Sequence, residues 1–324
     1  MNDVLLSVQD LYVQFQTYAG LVHAVNGISF DVCHGEIFGL VGESGCGKSV
    51  TGLAILRMIP QPGEIVHGRV TFQDEDLLRK SEPELQQIRG ARIAMVFQDP
   101  SACLNPVFSI GNQAARIIRQ HMHVGESKAR ELTLRMFENV GLPDPPRLYR
   151  TYPHELSGGM KQRAMIAMAL SCGAELLIAD EPTTGLDVTI QAQILSLLTT
   201  LQKDHGVSIL MITHDLGVVA ETCHRVGVAY AGEIVEMGRV EEALYQMKHP
   251  YTQGLLGAMP RPTQRGKALQ SIPGSVPDGL QLPTGCPFHP RCPYVLEVCP
   301  VEKPALRPVG VKGHVAACHL YADS

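Results

Sequence analysis

The octet Gly42-Glu43-Ser44-Gly45-Cys46-Gly47-Lys48-Ser49 fits G-x-x-x-x-G-K-[ST] without mismatch and follows the apolar run Ile37-Phe38-Gly39-Leu40-Val41. Its chemistry is phosphate binding. The glycines let backbone N–H groups turn inward around phosphate oxygens, Lys48 brings a point charge to the outer phosphates, and Ser49 offers a hydroxyl to Mg²⁺. A second apolar run, Leu176-Leu177-Ile178-Ala179, stops at Asp180-Glu181. At a strand end in a nucleoside triphosphatase, the first carboxylate holds Mg²⁺ through its water shell and the second polarises the attacking water. Asp180 is therefore assigned to magnesium and Glu181 to the general base. Alone, an Asp-Glu pair is more often a helix cap or a turn; the phosphate loop upstream favours the chemical reading. Between the two motifs lies Leu156-Ser157-Gly158-Gly159-Met160-Lys161-Gln162.

These residues need strands that end at loops and helices that begin there. The run before Gly42 reads as strand, loop and helix, and the alternation along the chain predicts an α/β core. Leu5 to Phe38 reads as short β-rich pieces with turns at Ala19-Gly20 and Asn26-Gly27. From Ile110 to Val140 the pattern is helical, with Ala115, Ile118, Leu132, Leu134 and Phe137 as its apolar positions. Breaks follow at Gly141-Leu142-Pro143 and Pro145-Pro146. Past Gly238 proline and glycine become denser, and Pro260-Arg261-Pro262 through Pro283 shows little periodicity, which sets a domain boundary near residue 250.

Composition narrows the classes. With 324 residues and 45% apolar content the chain can bury a large core, and no run approaches the roughly eighteen apolar residues of a membrane span. The start, Met1-Asn2-Asp3-Val4, lacks a basic region followed by an apolar stretch, so the chain is expected to be soluble and unexported. A net charge of −5 gives no basic footprint for a nucleic-acid partner.

With these motifs the chain resembles the ATP-binding-cassette family, and residues carry over where they match. Gln98, in Val96-Phe97-Gln98-Asp99-Pro100, resembles the glutamine that contacts Mg²⁺ and water and senses the membrane partner. Ser157, Gly158 and Gly159 resemble the signature loop, which caps the γ-phosphate bound by a second subunit, so a dimer is implied. Asp187, after Gly185-Leu186, resembles the loop that communicates across that dimer. His214, after Val207–Thr213, resembles the switch histidine that bonds the γ-phosphate and positions Glu181. For adenine stacking the candidate is Phe15, with Tyr18 second; either could be a packing residue. The implied fold is a nucleotide-binding domain over 1–250, with a helical subdomain over about 100–170, followed by an irregular Cys-rich extension over 251–324.

That extension holds four of the nine cysteines, Cys286, Cys292, Cys299 and Cys318, spaced C-x₅-C-x₆-C-x₁₈-C. Cys33, Cys103, Cys172 and Cys223 are scattered, and nine cysteines in an intracellular chain are not expected to form disulfides. Four clustered thiolates suit a [4Fe–4S] cluster or a structural Zn²⁺, with Pro287, Pro290, Pro293 and Pro300 keeping the ligand loops out of helix. Zinc ribbons favour paired C-x₂₋₄-C knuckles, absent here, so the spacing leans to the cluster, with zinc second and no metal third. His289, His314 and His319 are reserve ligands.

His249-Pro250-Tyr251-Thr252-Gln253, followed by Gly285-Cys286-Pro287-Phe288-His289-Pro290-Arg291-Cys292-Pro293, resembles the C-terminal extension of bacterial dipeptide and oligopeptide importer ATPases. This resemblance implies a second homologous ATPase subunit, two transmembrane permeases, an extracytoplasmic peptide-binding protein, and a place on the cytoplasmic face of the cell membrane. Nickel and glutathione importers share the extension, so cargo stays open between peptide and other small solutes. A cassette ATPase acting on DNA or the ribosome would carry a long insertion between Gln98 and Ser157 or a second cassette, and neither is present.

Overall fold

The computed structural model describes residues 3–258, 271–310 and 313–321. Met1 and Asn2 of the N-terminal reading and Pro260-Arg261-Pro262 of the linker reading lie outside them. In chain order the elements are β1 (Val4–Thr17), β2 (Gly20–Cys33), β3 (Ile37–Val41), α1 (Lys48–Ile55), β4 (Gly63–Phe72), β5 (Glu75–Asp76) and α2 (Glu82–Ile88). Next come β6 (Ile93–Val96), α3 (Pro100–Cys103), α4 (Ile110–Met122), α5 (Glu126–Asn139), α6 (Pro145–Leu148), α7 (Gly158–Leu170), β7 (Leu176–Asp180) and α8 (Val188–His205). The remainder is β8 (Ser208–Thr213), α9 (Leu216–Thr222), β9 (Arg225–Tyr230), β10 (Glu233–Arg239), α10 (Val240–Tyr245), α11 (Pro250–Gly257), β11 (Arg307–Pro308) and β12 (Val315–Ala316). Two compact units emerge: residues 1–3, 33–36 and 79–211, and residues 4–32, 37–78 and 212–324. Among the described residues no helix is long and apolar enough to cross a membrane.

The first unit holds α2 to α8 and the neighbouring strands β6 and β7, which pair in parallel. Every residue of β7 is buried, which is why the strand reads as an unbroken apolar run. The helical stretch read from Ile110 to Val140 is two helices. His123, in the left-handed region at φ 52°, closes α4, and Gly125 caps α5. Ala115, Ile118 and Ala129 form their shared core, with Leu132 packed against it. The Pro145-Pro146 break is instead a helix start: proline costs nothing where the N–H would be unpaired, and the Asp144 carboxylate accepts from the Arg147 N–H.

In the second unit a four-stranded antiparallel sheet runs in the order β2-β1-β4-β5. The chain turns at Tyr18-Ala19, but Asn26-Gly27 is not a turn; β2 continues through it. Gly27 takes φ 93° under the Tyr12 ring, and the Asn26 amide donates to Ala231 O at 2.8 Å, so the pair serves packing within a strand. The same unit pairs β3 with β9 in parallel, β9 with β10 antiparallel, and β10 with the short β12. One apolar core runs from Val226, Val228, Tyr230 and Val235 through Tyr251 to Cys286, Phe288 and Cys299. Residues far downstream thus bury their side chains in the core that backs the phosphate loop.

Candidate functional site

In the second unit the loop of residues 42–47 joins β3 to α1 and is held from below. A Cβ at Gly42 would lie 2.2 Å from Ala229 O and 2.8 Å from Cys46 Sγ, so only glycine lets the loop rest on β9. Lys48 is buried, and its ammonium donates to Gly42 O (2.8 Å) and Glu43 O (2.9 Å), folded over the loop's own carbonyls. Burial raises the Cys46 thiol pKa despite the nearby Lys48 charge, which keeps this cysteine a neutral packing group. Gly47, at φ 92°, caps α1, whose first residues are Lys48 and Ser49. Ser44 and Gly45 are exposed at the mouth. Phe15 in β1 is half-buried and stands over Gly63, while Tyr18 is fully exposed. His214 is exposed directly after β8, and Asp215 behind it caps α9 by accepting from the Gly217 N–H at 2.7 Å.

In the first unit the carboxylates of the strand end occupy different surroundings. Asp180 closes β7 and is buried. Glu181 follows at φ 46°, a left-handed conformation uncommon outside glycine that turns its carboxylate away from the strand. There Oε2 accepts from the Gln98 amide and from Thr184 Oγ1, both at 2.9 Å. Gln98 and Glu181 are therefore brought together. Ser157 caps α7, its hydroxyl accepting from the Met160 N–H, and Gly158-Gly159 form the first turn against Leu186 and Ile190. Asp187 caps α8 in the same way, accepting from the Ile190 N–H at 3.0 Å. The signature residues and Asp187 thus sit on facing helix starts.

The four tail cysteines share one neighbourhood. The Cys286 thiol is pushed up to about 11, chiefly by burial and then by Cys299, Cys318 and Cys292; Cys292 and Cys318 shift upward for the same reasons. Backbone N–H groups reach each sulfur: Tyr294 to Cys292 and Leu296 to Cys299 at 3.4 Å, with Phe288 on Cys286 and Leu320 on Cys318. Gly285, at φ 68°, brings its Cα side against Cys299 O, and Cys286 N–H donates to that carbonyl at 2.8 Å. Four cysteine sulfurs in one neighbourhood, each met by a backbone N–H, are of the donor type that soft metals take as thiolates. Among the described residues no three His, Cys, Asp or Glu side chains close to the spacing of ligands on a single ion. The reserve histidines have other partners: His289 with Cys286 O, His314 with Glu236, and His319 with Glu302 O.

Residues 25–184 match the ABC transporter family, and residues 235–299 match the C-terminal region of oligopeptide/dipeptide transporters. The dipeptide transport ATP-binding protein DppD of Bacillus subtilis is 48% identical, covering 98% of this chain and 94% of that one. The oligopeptide transport ATP-binding protein OppD of Escherichia coli is 47% identical, covering 93% and 89%. The chain belongs to the dipeptide/oligopeptide ABC-transporter ATP-binding proteins. Solved cassettes agree on the fold. A dimeric, ADP- and Pi-bound MJ0796 cassette superposes with TM-score 0.66 at 23% identity, covering 72% of this chain and 98% of that one. Clostridium perfringens cbiO1 gives 0.64 at 28%, covering 75% and 92%. Within this peptide-transporter ATPase, sequence reading missed Tyr251 and Arg291. Both bond the phosphate loop, and Arg291, a lone basic residue between two candidate ligands, was the available signal.

Proposed function

We propose that this ABC ATPase powers uptake of dipeptides or oligopeptides, its two modules being the cassette over 1–250 and the extension over 251–324. The observation that carries the cargo class is near full-length similarity to DppD and OppD together with the tail match over 235–299. In this reading the loop from Gly42 to Ser49 cradles ATP phosphates, Ser49, Gln98 and Asp180 hold Mg²⁺, and Phe15 stacks on adenine. Glu181 accepts the proton of the attacking water while Gln98 and His214 orient it and the γ-phosphate. Ser157, Gly158 and Gly159 cap the ATP of a second, homologous subunit, and Asp187 reports across that dimer. ATP bridges the closed pair, and loss of its γ-phosphate removes the contacts that distinguish closed from open.

Gln98 transmits this change to the permeases through the adjoining segment, where Val107 and Phe108 are exposed. The chain thus works peripherally at the cytoplasmic face of the cell membrane, beneath two permeases supplied by an extracytoplasmic binding protein. Cys286, Cys292, Cys299 and Cys318 would hold a [4Fe–4S] cluster, as four clustered cysteines can. Bound there, the cluster supplies the positive charge that the four converging thiolates lack.

The test is ATPase activity of the reconstituted complex with its binding protein loaded in turn with dipeptide, longer peptide, nickel or glutathione. Stimulation by peptide alone is the expected result; stimulation by nickel or glutathione alone replaces the cargo and leaves the ATPase reading intact.

A further inference from the structure

The phosphate loop carries a carboxylate, Glu43, directly after Gly42, where a polyphosphate would meet a like charge. That carboxylate is taken by the tail. Arg291 grips it as a fork, Nη1 to Oε2 at 2.8 Å and Nη2 to Oε1 at 3.0 Å, with the guanidinium side chain only 5% exposed. The remaining guanidinium contacts fix the fork in direction. Nε donates to Pro273 O (2.8 Å), Nη1 to Tyr230 Oη (3.4 Å) and Nη2 to Ile272 O (3.5 Å), and the group lies over the Tyr230 ring. A second tether acts on the same loop residue: the Glu43 N–H donates to Tyr251 Oη at 2.9 Å, and burial holds that phenol firmly protonated. Lys48 completes the arrangement through Glu43 O. Glu43 is thus fixed at its N–H, its carbonyl and its carboxylate, two of the three partners coming from beyond residue 250.

We propose that Arg291 is a positioning residue for nucleotide binding, acting through Glu43: it neutralises the carboxylate that would repel ATP and pins the loop in its receptive shape. This rests on reading residues 42–49 as the ATP phosphate site. A bidentate Arg–carboxylate pair sets direction as well as charge, which lysine cannot reproduce. Because Arg291 acts through Glu43, removing it changes nothing further once Glu43 has lost its charge. A purely structural ion pair would instead lower the amount of folded protein without moving the KM for ATP.

The experiment is a double-mutant cycle on steady-state ATPase kinetics of the assembled transporter, with melting temperature and iron content measured on each variant. Arg291→Gln is expected to raise KM for ATP roughly tenfold, the scale of one lost charge-assisted hydrogen bond, with kcat within about twofold. In the Glu43→Gln background the same change moves KM less than about twofold, and iron content stays at the wild-type level. An unchanged KM in Arg291→Gln, or an equal rise in both backgrounds, overturns the proposal. Should Arg291→Gln not fold, Arg291→Lys carries the test: a KM rise of about threefold supports the fork, and no rise overturns it. Lys48→Ala separates the layers. If it still binds ATP, the phosphate-loop reading fails and the proposal with it; if binding is lost there while Arg291→Gln keeps its KM, only the role of Arg291 fails.

Discussion

Gln98 Nε2 donates to Glu181 Oε2 across 2.9 Å, tying a side chain two residues beyond β6 to the carboxylate that follows β7. Since β6 and β7 pair in parallel with Val96 opposite Ala179, both side chains leave the sheet at the same edge, and the bond follows from the register. Thr184 Oγ1 donates to the same oxygen, also at 2.9 Å.

Glu181→Gln should therefore keep ATP binding and slow turnover by roughly 10²- to 10⁴-fold, the worth of a positioned general base. Single-turnover hydrolysis and nucleotide binding in the assembled transporter read the two effects separately. Near-normal hydrolysis would remove Glu181 from that role.

Gly42→Ala places a methyl group 2.2 Å from Ala229 O, a backbone atom of a buried strand that cannot swing aside. The loop must lift from β9, at a cost of roughly 1–3 kcal/mol, and the N–H groups proposed to meet phosphate move with it. The expected result is a lower melting temperature and loss of the stabilisation that ATP gives the wild type. A variant with wild-type melting and ATP response contradicts this account of the loop.

Burial lowers the His249 pKa to about 4 from the ordinary 6.5, against the opposing pull of Glu236. Between those values the unfolded chain takes up a proton that the folded chain refuses, so stability is complete above about pH 6.5 and falls as pH drops toward 4, by about 3 kcal/mol in all. His249 Nδ1 accepts from the Tyr251 N–H as the cap of α11, a task asparagine can share without titrating. Chemical denaturation at pH 7 and pH 5 should show a smaller loss for His249→Asn than for wild type. Equal losses would assign the acid sensitivity elsewhere.

If the tail cysteines hold the proposed cluster, Cys292→Ser releases it and loosens the tail, because ligand coordination also folds a small loop-rich segment. Iron, sulfide and zinc analysis with a visible spectrum, on protein purified anaerobically with its membrane partners, is the measurement. About four irons and four sulfides per wild-type chain, falling in the variant, fits the proposed ligand set. Unchanged metal in Cys292→Ser removes that residue from it, and stoichiometric zinc without iron makes the tail a structural zinc unit.

Much of the candidate site was legible because its chemistry demands contiguous residues. The roles proposed for Gly42 to Ser49, Ser157 to Gly159 and Asp180-Glu181 each call for neighbouring backbone positions, so order in the chain is enough to pick these residues out as candidates. The buried strands β3 and β7 were equally visible, as apolar runs that only a strand covered on both faces needs. Asn26-Gly27 misled because its turn-like composition serves Tyr12 and Ala231, partners distant in sequence. Pro145-Pro146 misled because proline breaks a helix interior yet favours a helix start, and only the Asp144 cap distinguishes the two. The tertiary structure alone decided that Gln98 meets Glu181 and that Tyr251 and Arg291 hold Glu43. Such contacts join residues 83 and 248 positions apart, and a hydrogen bond of that span depends on strand register and core packing.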